Sequence, residues 1–411
     1  MKKTIAYFSI FTLMLISVVS SGVSLDAASH NQPQRVIVLF DEPVNNAAQD
    51  ALEAHGHVLN TFNLINGALV VLPDTAAVNV VSNLDGVVSV ETDSLVYAQK
   101  PPGACDPWPD CKNGGDDDGS TDPSQPAQTM EWGVDRIDAD LTWGTSTGSG
   151  VNVAVIDTGI DLDHADLNVV RGVDCTKGPN CDKGGSGDDD NGHGTHVAGI
   201  IGALNNDIGV VGVAPDANLY GVKVLNSKGS GFLSDVIEGI EWSVNNGADV
   251  INMSLGSSSS SQAMHDAVDA AYNAGVVIVA SAGNSGDGDP NTNDVGYPAK
   301  YSSVIAISAT ASDDSTPSWS SEGAEVEVAA PGVNVRSTWN DGLYYTASGT
   351  SMASPHTAGT VALMLSNGVA SSDVRSLLQA TADDLGATGF DNHYGYGLTD
   401  AEEATTGIAT N

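Results

Sequence analysis

Hydrophobic residues follow two different patterns along the chain, one before about residue 100 and one after about residue 128. Between residues 35 and 99, the strand-like runs RVIVLF, GALVVL and VVSVE alternate with two helical stretches around 44 to 55 and 74 to 84. This pattern predicts a small α+β unit that precedes a larger domain.

The second part of the chain alternates apolar strands with helical segments. Its strand-like runs are VNVAVID, NLYGVKVL, ADVINMSL, GVVIVASAG and VIAISAT, and its helical patterns include HVAGIIGAL and SDVIEGIEWSVNNG. Such alternation predicts an α/β fold with a doubly wound, mostly parallel sheet that is covered on both faces. Ligands of these sheets lie at the carboxyl ends of the strands, where DTG, SLG and AGN follow three of the predicted strands.

Composition divides the chain into four segments. The N-terminus reads MKK and then IAYFSIFTLMLISVV, a basic start and a short apolar run that are typical of a secretory signal peptide; a signal anchor stays open as the alternative. The run is too short for a stable membrane span, and no later segment is long and apolar enough. A stretch rich in Pro, Gly and Asp marks a linker. The predicted segments are a signal peptide (1–28), the small unit (35–99), the linker (100–127) and the large domain (128–411).

The net charge of the chain disfavours some classes of binding partner. Acidic residues outnumber basic ones 52 to 14, which gives a formal net charge of -38. A surface of this sign repels nucleic acid and anionic membranes and favours hydration and cations, so a nucleic-acid partner is not expected. We interpret the negative charge as that of a solvated surface, and adaptation to salty or calcium-containing surroundings would be one cause of it. We expect the protein to be secreted, extracellular and monomeric.

The four cysteines form two local pairs, Cys105 with Cys111 and Cys175 with Cys181. Four cysteines permit three connectivities, and in an oxidising compartment we expect two small disulfide loops, each worth about 2 kcal/mol. A zinc site is the alternative, but neither loop contains a histidine and the spacing within each is longer than in zinc motifs.

Three polar residues stand where strands and helices are predicted to meet. Asp157 ends an apolar strand, His193 begins a helix, and Ser351 stands before a second helix whose first turn tolerates Pro355. Singly, they are consistent with a helix cap, a turn residue and an N-cap. Together they supply a hydroxyl nucleophile, an imidazole to take its proton and a carboxylate to orient the imidazole. The sequence also leaves a metal site at His193 and His196 to be considered.

The flanking motifs DTGID, HGTHVAG and GTSMASPH, in this order, resemble the subtilisin family of serine proteases across nearly all of residues 128 to 400. The closest likeness is to calcium-dependent archaeal subtilisins of the Thermococcus type, which also place a cysteine-flanked insertion between the Asp and the His. The resemblance implies that Ser351 is the nucleophile, that His193 is its general base and then general acid, and that Asp157 orients His193. His196 is then packed structure, since no further metal ligands stand at suitable spacing.

The same resemblance implies an oxyanion donor and a peptide-binding site. Asn284 corresponds to the family's side-chain donor, although an Asn between glycines is otherwise typical of a turn. Two strand edges are expected to hold an extended substrate by β-augmentation, and a glycine at the pocket floor leaves room for a large apolar or aromatic residue before the scissile bond. The residues of the two edges and the floor are Gly229, Ser230, Gly231, Ser254, Leu255, Gly256 and Gly296.

Calcium is implied by ALNNDIGVVGVAP, which resembles the family's calcium loop; on its own, NND is typical of a turn. The acidic stretches DDDGSTD, SGDDDN and GDGDPNTND are interpreted as solvated loops. The implied Ca²⁺ ligands are oxygen donors, namely the carbonyls of Leu204, Ile208 and Val210 and the side chains of Asn206, Asp166 and Gln128.

Residues 35–99 resemble the subtilisin propeptide family, which implies a ferredoxin-like folding aid and inhibitor whose tail lies in the active site. Aligning VETDSLVYAQK on that tail suggests cleavage between Gln99 and Lys100, with Tyr97 as a rival site and a mature N-terminus nearer Gln128 as an alternative. We therefore expect a secreted, autoprocessed, calcium-dependent endopeptidase that acts on polypeptides. The alternatives are a catalytically silent binding or inhibitor protein and an esterase that uses the same triad.

Overall fold

A computed structural model describes residues 32–99, 125–178, 181 and 185–407. The predicted signal peptide, the Cys105 and Cys111 pair, Lys100 and nearly all of the predicted linker therefore lie outside the described residues.

The small unit is an antiparallel sheet with two helices. Its strands lie in the order β2-β3-β1-β4, and its core contains Val38, Val70 and Leu72 of the sheet packed with Leu52 and Val81 of the helices. Strand β2, which the sequence did not predict, buries alternate residues. The elements are β1 (Gln34–Phe40), α1 (Asn46–Glu53), β2 (His57–Phe62), β3 (Gly67–Leu72), α2 (Thr75–Val81) and β4 (Val87–Thr92).

A further strand, β5 (Leu95–Ala98), follows this sheet at the end of the small unit, and the large domain begins with two short helices. The remaining elements are α3 (Trp132–Arg136), α4 (Ala139–Thr142), β6 (Asn152–Asp157), β7 (Val169–Asp174), α5 (His193–Gly202), β8 (Asn218–Lys223), β9 (Ser230–Phe232), α6 (Leu233–Asn245), β10 (Val250–Met253), β11 (Leu255–Gly256), α7 (Gln262–Asn273), β12 (Val277–Ser281), β13 (Ile305–Thr310), β14 (Val326–Pro331), β15 (Val335–Thr338), β16 (Tyr344–Ala347), α8 (Thr350–Ser366), α9 (Ser371–Thr381) and α10 (Ala401–Thr406).

Seven strands form a parallel sheet in the order β14-β13-β12-β10-β6-β8-β7. Alternate residues of β6 enter different cores: Ile156 packs in the core that contains α6 and α7, and Val155 in the core that contains α5 and α8. The prediction of a doubly wound α/β sheet is confirmed. Edge strands β7 and β14 were missed; the outer residues of β7 are exposed, which weakens its apolar signal.

Strand β6 lies where the chain order of the sheet reverses, between β8 and β10. A crevice opens at such a point, outside the carboxyl ends of the strands. Asp157 is the last residue of β6 and therefore lies at this crevice. Within the described residues, no helix combines the length and the apolar character needed to cross a bilayer.

Candidate active site

Asp157 and His193 form a buried pair at the crevice. The Nδ1 atom of His193 lies 2.7 Å from Oδ1 of Asp157, and both side chains are almost fully buried. The first turn of α5 passes very close to the end of β6, since a Cβ on Gly194 would lie 2.1 Å from the carbonyl oxygen of Gly159. With Nδ1 donating to the carboxylate, the other ring nitrogen, Nε2, carries the lone pair that can accept a proton.

Ser351 is the second residue of α8 and lies inside the first turn of that helix, not before it as the sequence suggested. Its Oγ donates to the carbonyl of Ser254 at 3.2 Å. Pro355 also lies deeper in the helix than predicted, beyond the first turn. The helical partner of the Ser351 carbonyl would be the N–H of residue 355, which proline lacks.

A hydroxyl replaces the missing helical donor. Ser254 Oγ donates to the Ser351 carbonyl at 3.0 Å and itself accepts from Asn252 Nδ2 at 3.0 Å. Ser354, one turn along, donates to Asn252 Oδ1 at 2.7 Å. Side chains at the end of β10 therefore hold the first turn of α8, and no pattern in the sequence pointed to this network.

The Asn284 amide has a fixed orientation. Its Oδ1 accepts from the backbone N–H of Thr350 at 2.9 Å and from the Thr350 hydroxyl at 3.0 Å. The Nδ2 group is thereby turned away from α8 and donates to the carbonyl oxygen of Gln99 at 2.9 Å. Asn284 thus presents a donor to the carbonyl at the end of the small unit.

Strand β5 lies between the two predicted peptide-binding edges. It pairs antiparallel with β9 through Tyr97 and Ser230 and with β11 through Tyr97 and Gly256. The N–H of Ala98 also donates to the carbonyl of Gly229 at 2.9 Å. The segment is held by main-chain hydrogen bonds on both sides, which is the arrangement of an added strand. Gly231 and Leu255 belong to these two edges, whereas Ser254 contacts Ser351 instead.

A cavity of about 790 Å³ opens beside Gln99. A Cβ on Gly256 would lie 2.1 Å from Gln99 Nε2, and one on Gly296 would lie 4.0 Å from the same atom. The two glycines therefore leave room for the Gln99 side chain. Lys300 and Asp294 also line this cavity, and sequence reasoning did not select either residue.

Two carboxylates of the small unit contact helix starts of the large domain. Asp93 Oδ1 accepts from the N–H of Ser234 at 2.9 Å, near the start of α6. Glu91 accepts from the N–H of Gln262 at 3.0 Å and from the hydroxyl of Ser261 at 2.7 Å, at the start of α7. Sequence reasoning missed both acids, although they alternate along VETDS at the end of the unit.

The second histidine of α5 has a structural environment. His196 is fully buried, and its Nε2 lies 2.9 Å from the carbonyl of Tyr345. Burial lowers the pKa of His196 to about 3, so the ring stays neutral near pH 7.

Of the two predicted cysteine pairs, the one within the described residues forms a disulfide, between Cys175 and Cys181.

The residues of the implied calcium loop lie together. Gln128 Nε2 donates to the carbonyl of Leu204 at 2.7 Å and is 3.3 Å from the carbonyl of Val210. Two carbonyl oxygens, which come from opposite ends of the loop, therefore converge on one point.

A buried carboxylate lies against the same loop. Asp166 accepts from Asn206 Nδ2 at 2.8 Å, from the N–H of Val210 at 3.2 Å and from the hydroxyl of Tyr344 at 3.1 Å. Burial raises the pKa of Asp166 to about 6. The Asn206 Oδ1 atom accepts from the N–H of Ile208 at 2.7 Å. All six predicted ligands are thus linked in one set of contacts.

Comparison with known proteins places this site in a family. Residues 148–397 match the model of the Subtilase family, Peptidase_S8, over more than half of the chain. The chain is 50% identical to Subtilisin DY of Bacillus licheniformis over 282 residues (68% of this chain and 99% of the relative) and 47% identical to Subtilisin Savinase of Lederbergia lenta (68% and 100%). It is 39% identical to Subtilisin E of Bacillus subtilis over 405 residues, which cover 96% of this chain and 97% of that protein. With an α/β sheet, a buried Asp-His pair and relatives of this kind, the chain belongs to the subtilase family and is a subtilisin-like serine protease.

Proposed function

We propose that the protein is a secreted, calcium-dependent endopeptidase, made as a precursor that cleaves itself between Gln99 and Lys100. The observation that carries this proposal is the hydrogen bond from Asn284 Nδ2 to the Gln99 carbonyl, 2.9 Å long, at the end of a strand held between two edges of the large domain. A peptide that is about to be cut, or has just been cut, needs this arrangement, since the donor must face the reacting carbonyl.

In the acylation step, His193 takes the proton of the Ser351 hydroxyl while Oγ attacks the carbonyl carbon of Gln99. The carbonyl oxygen gains negative charge, which Asn284 Nδ2 and the Ser351 N–H stabilise. Asp157 stabilises the imidazolium that forms. His193 then gives its proton to the amine of Lys100, and the bond between residues 99 and 100 breaks.

Deacylation repeats these roles with water. His193 takes a proton from a water molecule, which attacks the ester carbonyl between Gln99 and Ser351 Oγ. The tetrahedral intermediate collapses, the proton returns to Ser351 Oγ, and Gln99 leaves as a carboxylate. The same cycle on other polypeptides is the mature activity.

The contacts of Gln99 favour it over Tyr97 as the residue before the cleaved bond. The Gln99 side chain lies against Gly256 and near Gly296, whereas Tyr97 is half exposed at the rim of the cavity. A cavity of about 790 Å³ is large enough for apolar and aromatic side chains, which supports a broad preference for them in substrates. The mature N-terminus is Lys100 or a residue nearer Gln128.

After the cut, the small unit remains as an inhibitor. Strand β5 occupies the substrate position, and Glu91 and Asp93 hold the unit on the starts of α7 and α6. The same contacts support a role in folding, because they hold the starts of α6 and α7 against the small unit. Asp157, His193, Asn284 and Ser351 all belong to one chain, so the site needs no residue of a second copy, which supports a mature enzyme that acts as a monomer.

The calcium loop fits its proposed ion. The carbonyls of Leu204 and Val210 converge, and Asp166 supplies a buried carboxylate against the same loop. These are hard oxygen donors of the kind that Ca²⁺ prefers. The ion would stabilise the loop after α5, and no chemical step passes through it. The leader-like N-terminus and the disulfide support secretion, and the cysteine-flanked insertion supports the likeness to archaeal subtilisins.

The proposal is tested by expressing the wild type, Ser351→Ala and the control Ser366→Ala, each with calcium and with chelator. Ser366 lies at the far end of the same helix and donates to Ser149. Intact mass and N-terminal sequencing should find a cut after residue 99 in the wild type and the control, and an uncut, folded Ser351→Ala chain. Chelator should lower the yield of folded mature chain.

Normal maturation of Ser351→Ala would overturn the proposed mechanism. If the wild type also stays uncut while folded, a catalytically silent inhibitor becomes the better description. A comparison of peptide and simple ester turnover separates the endopeptidase from an esterase, since only the endopeptidase gains from the edges that pair with β5.

A further inference from the structure

We propose that Asp287, Asp294 and Glu322 form a second cation site, which binds Ca²⁺ beside the wall of the substrate cavity. One carboxylate oxygen from each residue can be chosen so that the three lie within 4.8 Å of one another. Two oxygens that are each about 2.4 Å from one Ca²⁺ ion lie at most about 4.8 Å apart. The three side chains are therefore close enough to share one ion.

Glu322 is the decisive member of this cluster. Its side chain belongs to a residue that is only 1% exposed, and within the described part of the chain neither carboxylate oxygen has a hydrogen bond of good geometry; its polar contacts with Asp287 are weaker than that. A buried carboxylate without a well-placed donor is costly. Its oxygens lie against a loop that carries two further carboxylates, so a cation is the missing partner that the surroundings can accommodate.

The chain builds the cluster from two segments. The N–H of Glu322 donates to Asp294 Oδ1 at 3.0 Å, and the N–H of Asp294 donates to the Glu322 carbonyl at 3.1 Å. Gly286 lets the loop pass close to the buried carboxylate, since a Cβ there would lie 2.7 Å from Glu322 Oε2. Asp287, the next residue, is exposed and completes the group from the solvent side. This position lets water fill the remaining places around an ion.

No basic side chain neutralises the cluster within the described residues. Lys300 is near, but it pairs with Glu325 at 4.0 Å and donates to Asn293. Burial, with repulsion from Asp294 and a contact with Asp287, raises the pKa of Glu322 to about 7. A bound divalent cation removes this repulsion, and carboxylate oxygens with water are the ligands of Ca²⁺.

The proposed ion lies next to the machinery that holds Gln99. Asp294 lines the cavity that contains the Gln99 side chain. Ser321, the neighbour of Glu322, donates through its N–H to the Gly283 carbonyl at 2.9 Å and accepts from the N–H of Ser285 at 3.2 Å. An ion held by both segments would fix the cavity wall and the two residues that flank Asn284. This site is separate from the calcium loop at Asp166.

The test counts calcium ions on the full chain that cannot cut itself. Ser351→Ala is the background, and Glu322→Gln, Asp287→Asn and the control Glu325→Gln are added to it. Glu325 is three residues from Glu322 and pairs with Lys300, so its change has the same charge effect without touching the cluster. Calcium chloride is titrated by isothermal calorimetry into chains freed of metal, with circular dichroism as a check of folding.

We expect Glu322→Gln and Asp287→Asn each to lose one calcium equivalent, or to bind it at least tenfold more weakly, while Glu325→Gln matches the background. Asp166→Asn should remove a different equivalent and leave this one. Asp287 is exposed, so its variant tests the site even if Glu322→Gln does not fold. Equal stoichiometry and affinity in the background and the Asp287→Asn chain would overturn the site. Because this chain is inactive by design, the result does not depend on the proposed protease reaction.

Discussion

Helices α5 and α8 begin inside the catalytic crevice, whereas α6 and α7 begin beneath the small unit. The crevice helices follow glycines, Gly192 and Gly349. The first turn of α5 is capped from within the large domain, where Asp189 accepts from the N–H of Thr195 at 3.0 Å, and the start of α8 has a neutral partner, since the N–H of Thr350 donates to the Asn284 amide. The other two receive carboxylates from outside the large domain: Asp93 accepts from the first turn of α6 and Glu91 from the first turn of α7.

The difference follows from what each helix start must do. A helix N-terminus carries partial positive charge and unpaired N–H groups. At the start of α8, that charge and the Ser351 N–H are needed for an oxygen that becomes negative during the reaction, and an acidic cap there would oppose it. Beneath the small unit, the same polarity attracts carboxylates that leave when the unit leaves. The partial positive charge of a helix N-terminus thus serves both a permanent reactive site and a removable contact.

The largest expected effect comes from reversing the polarity of the crevice donor. Asn284→Asp keeps the oxygen that accepts from Thr350 but replaces the Nδ2 donor by an acceptor. We expect kcat to fall by at least about 10²–10³-fold with little change in KM, which is the magnitude already established for loss of this donor in a subtilisin. Peptide hydrolysis by the mature enzyme measures it.

The matched control is Asn246→Asp at the C-terminal end of α6, where the side chain bonds within the helix end. This control should keep kcat within about twofold of the wild type, since surface changes of this kind have small effects. A fall in kcat that is equal in both variants would mean that added negative charge, and not the lost donor, causes the effect.

The sequence predicted the crevice better than the removable contact. Asp157 and His193 stand at element ends within strong apolar patterns, so the α/β sheet and the buried pair could be expected from local order. Glu91 and Asp93 bind the starts of helices that lie far along the chain, and no local sequence pattern indicates contacts of this kind. The loop around Asp287 was interpreted as solvated for the same reason, because Glu322 reaches it only after folding.

The removable contact should respond more weakly than the crevice. In Glu91→Ala combined with Asp93→Ala, each helix start loses a carboxylate partner worth about 1 kcal/mol. The pair should speed release of the small unit after processing by about 30-fold, which corresponds to about 2 kcal/mol. The delay between the cut, followed by intact mass, and the appearance of peptidase activity measures this release.

Glu42→Ala is the control for that delay, because Glu42 is an exposed acid of the same unit. It should leave the delay unchanged. If the double variant is cut at the normal rate and shows the control's delay, the two carboxylates do not hold the unit, and the contrast between the helix starts loses its functional meaning.

The smallest effect concerns how the crevice helix is held without a helical hydrogen bond. Ser254→Ala removes the hydroxyl that donates to the Ser351 carbonyl and also leaves Asn252 Nδ2 without that acceptor. We expect a loss of about 1–2 kcal/mol in the free energy of unfolding, measured by urea in the uncut Ser351→Ala chain. Pro355→Ala supplies the missing N–H to the same carbonyl, so it should stabilise the Ser254→Ala chain more than it stabilises the parent, which already has a donor there. An equal gain in both backgrounds would show that the proline and the Ser254 hydroxyl act independently, and that the first turn of α8 depends on other contacts.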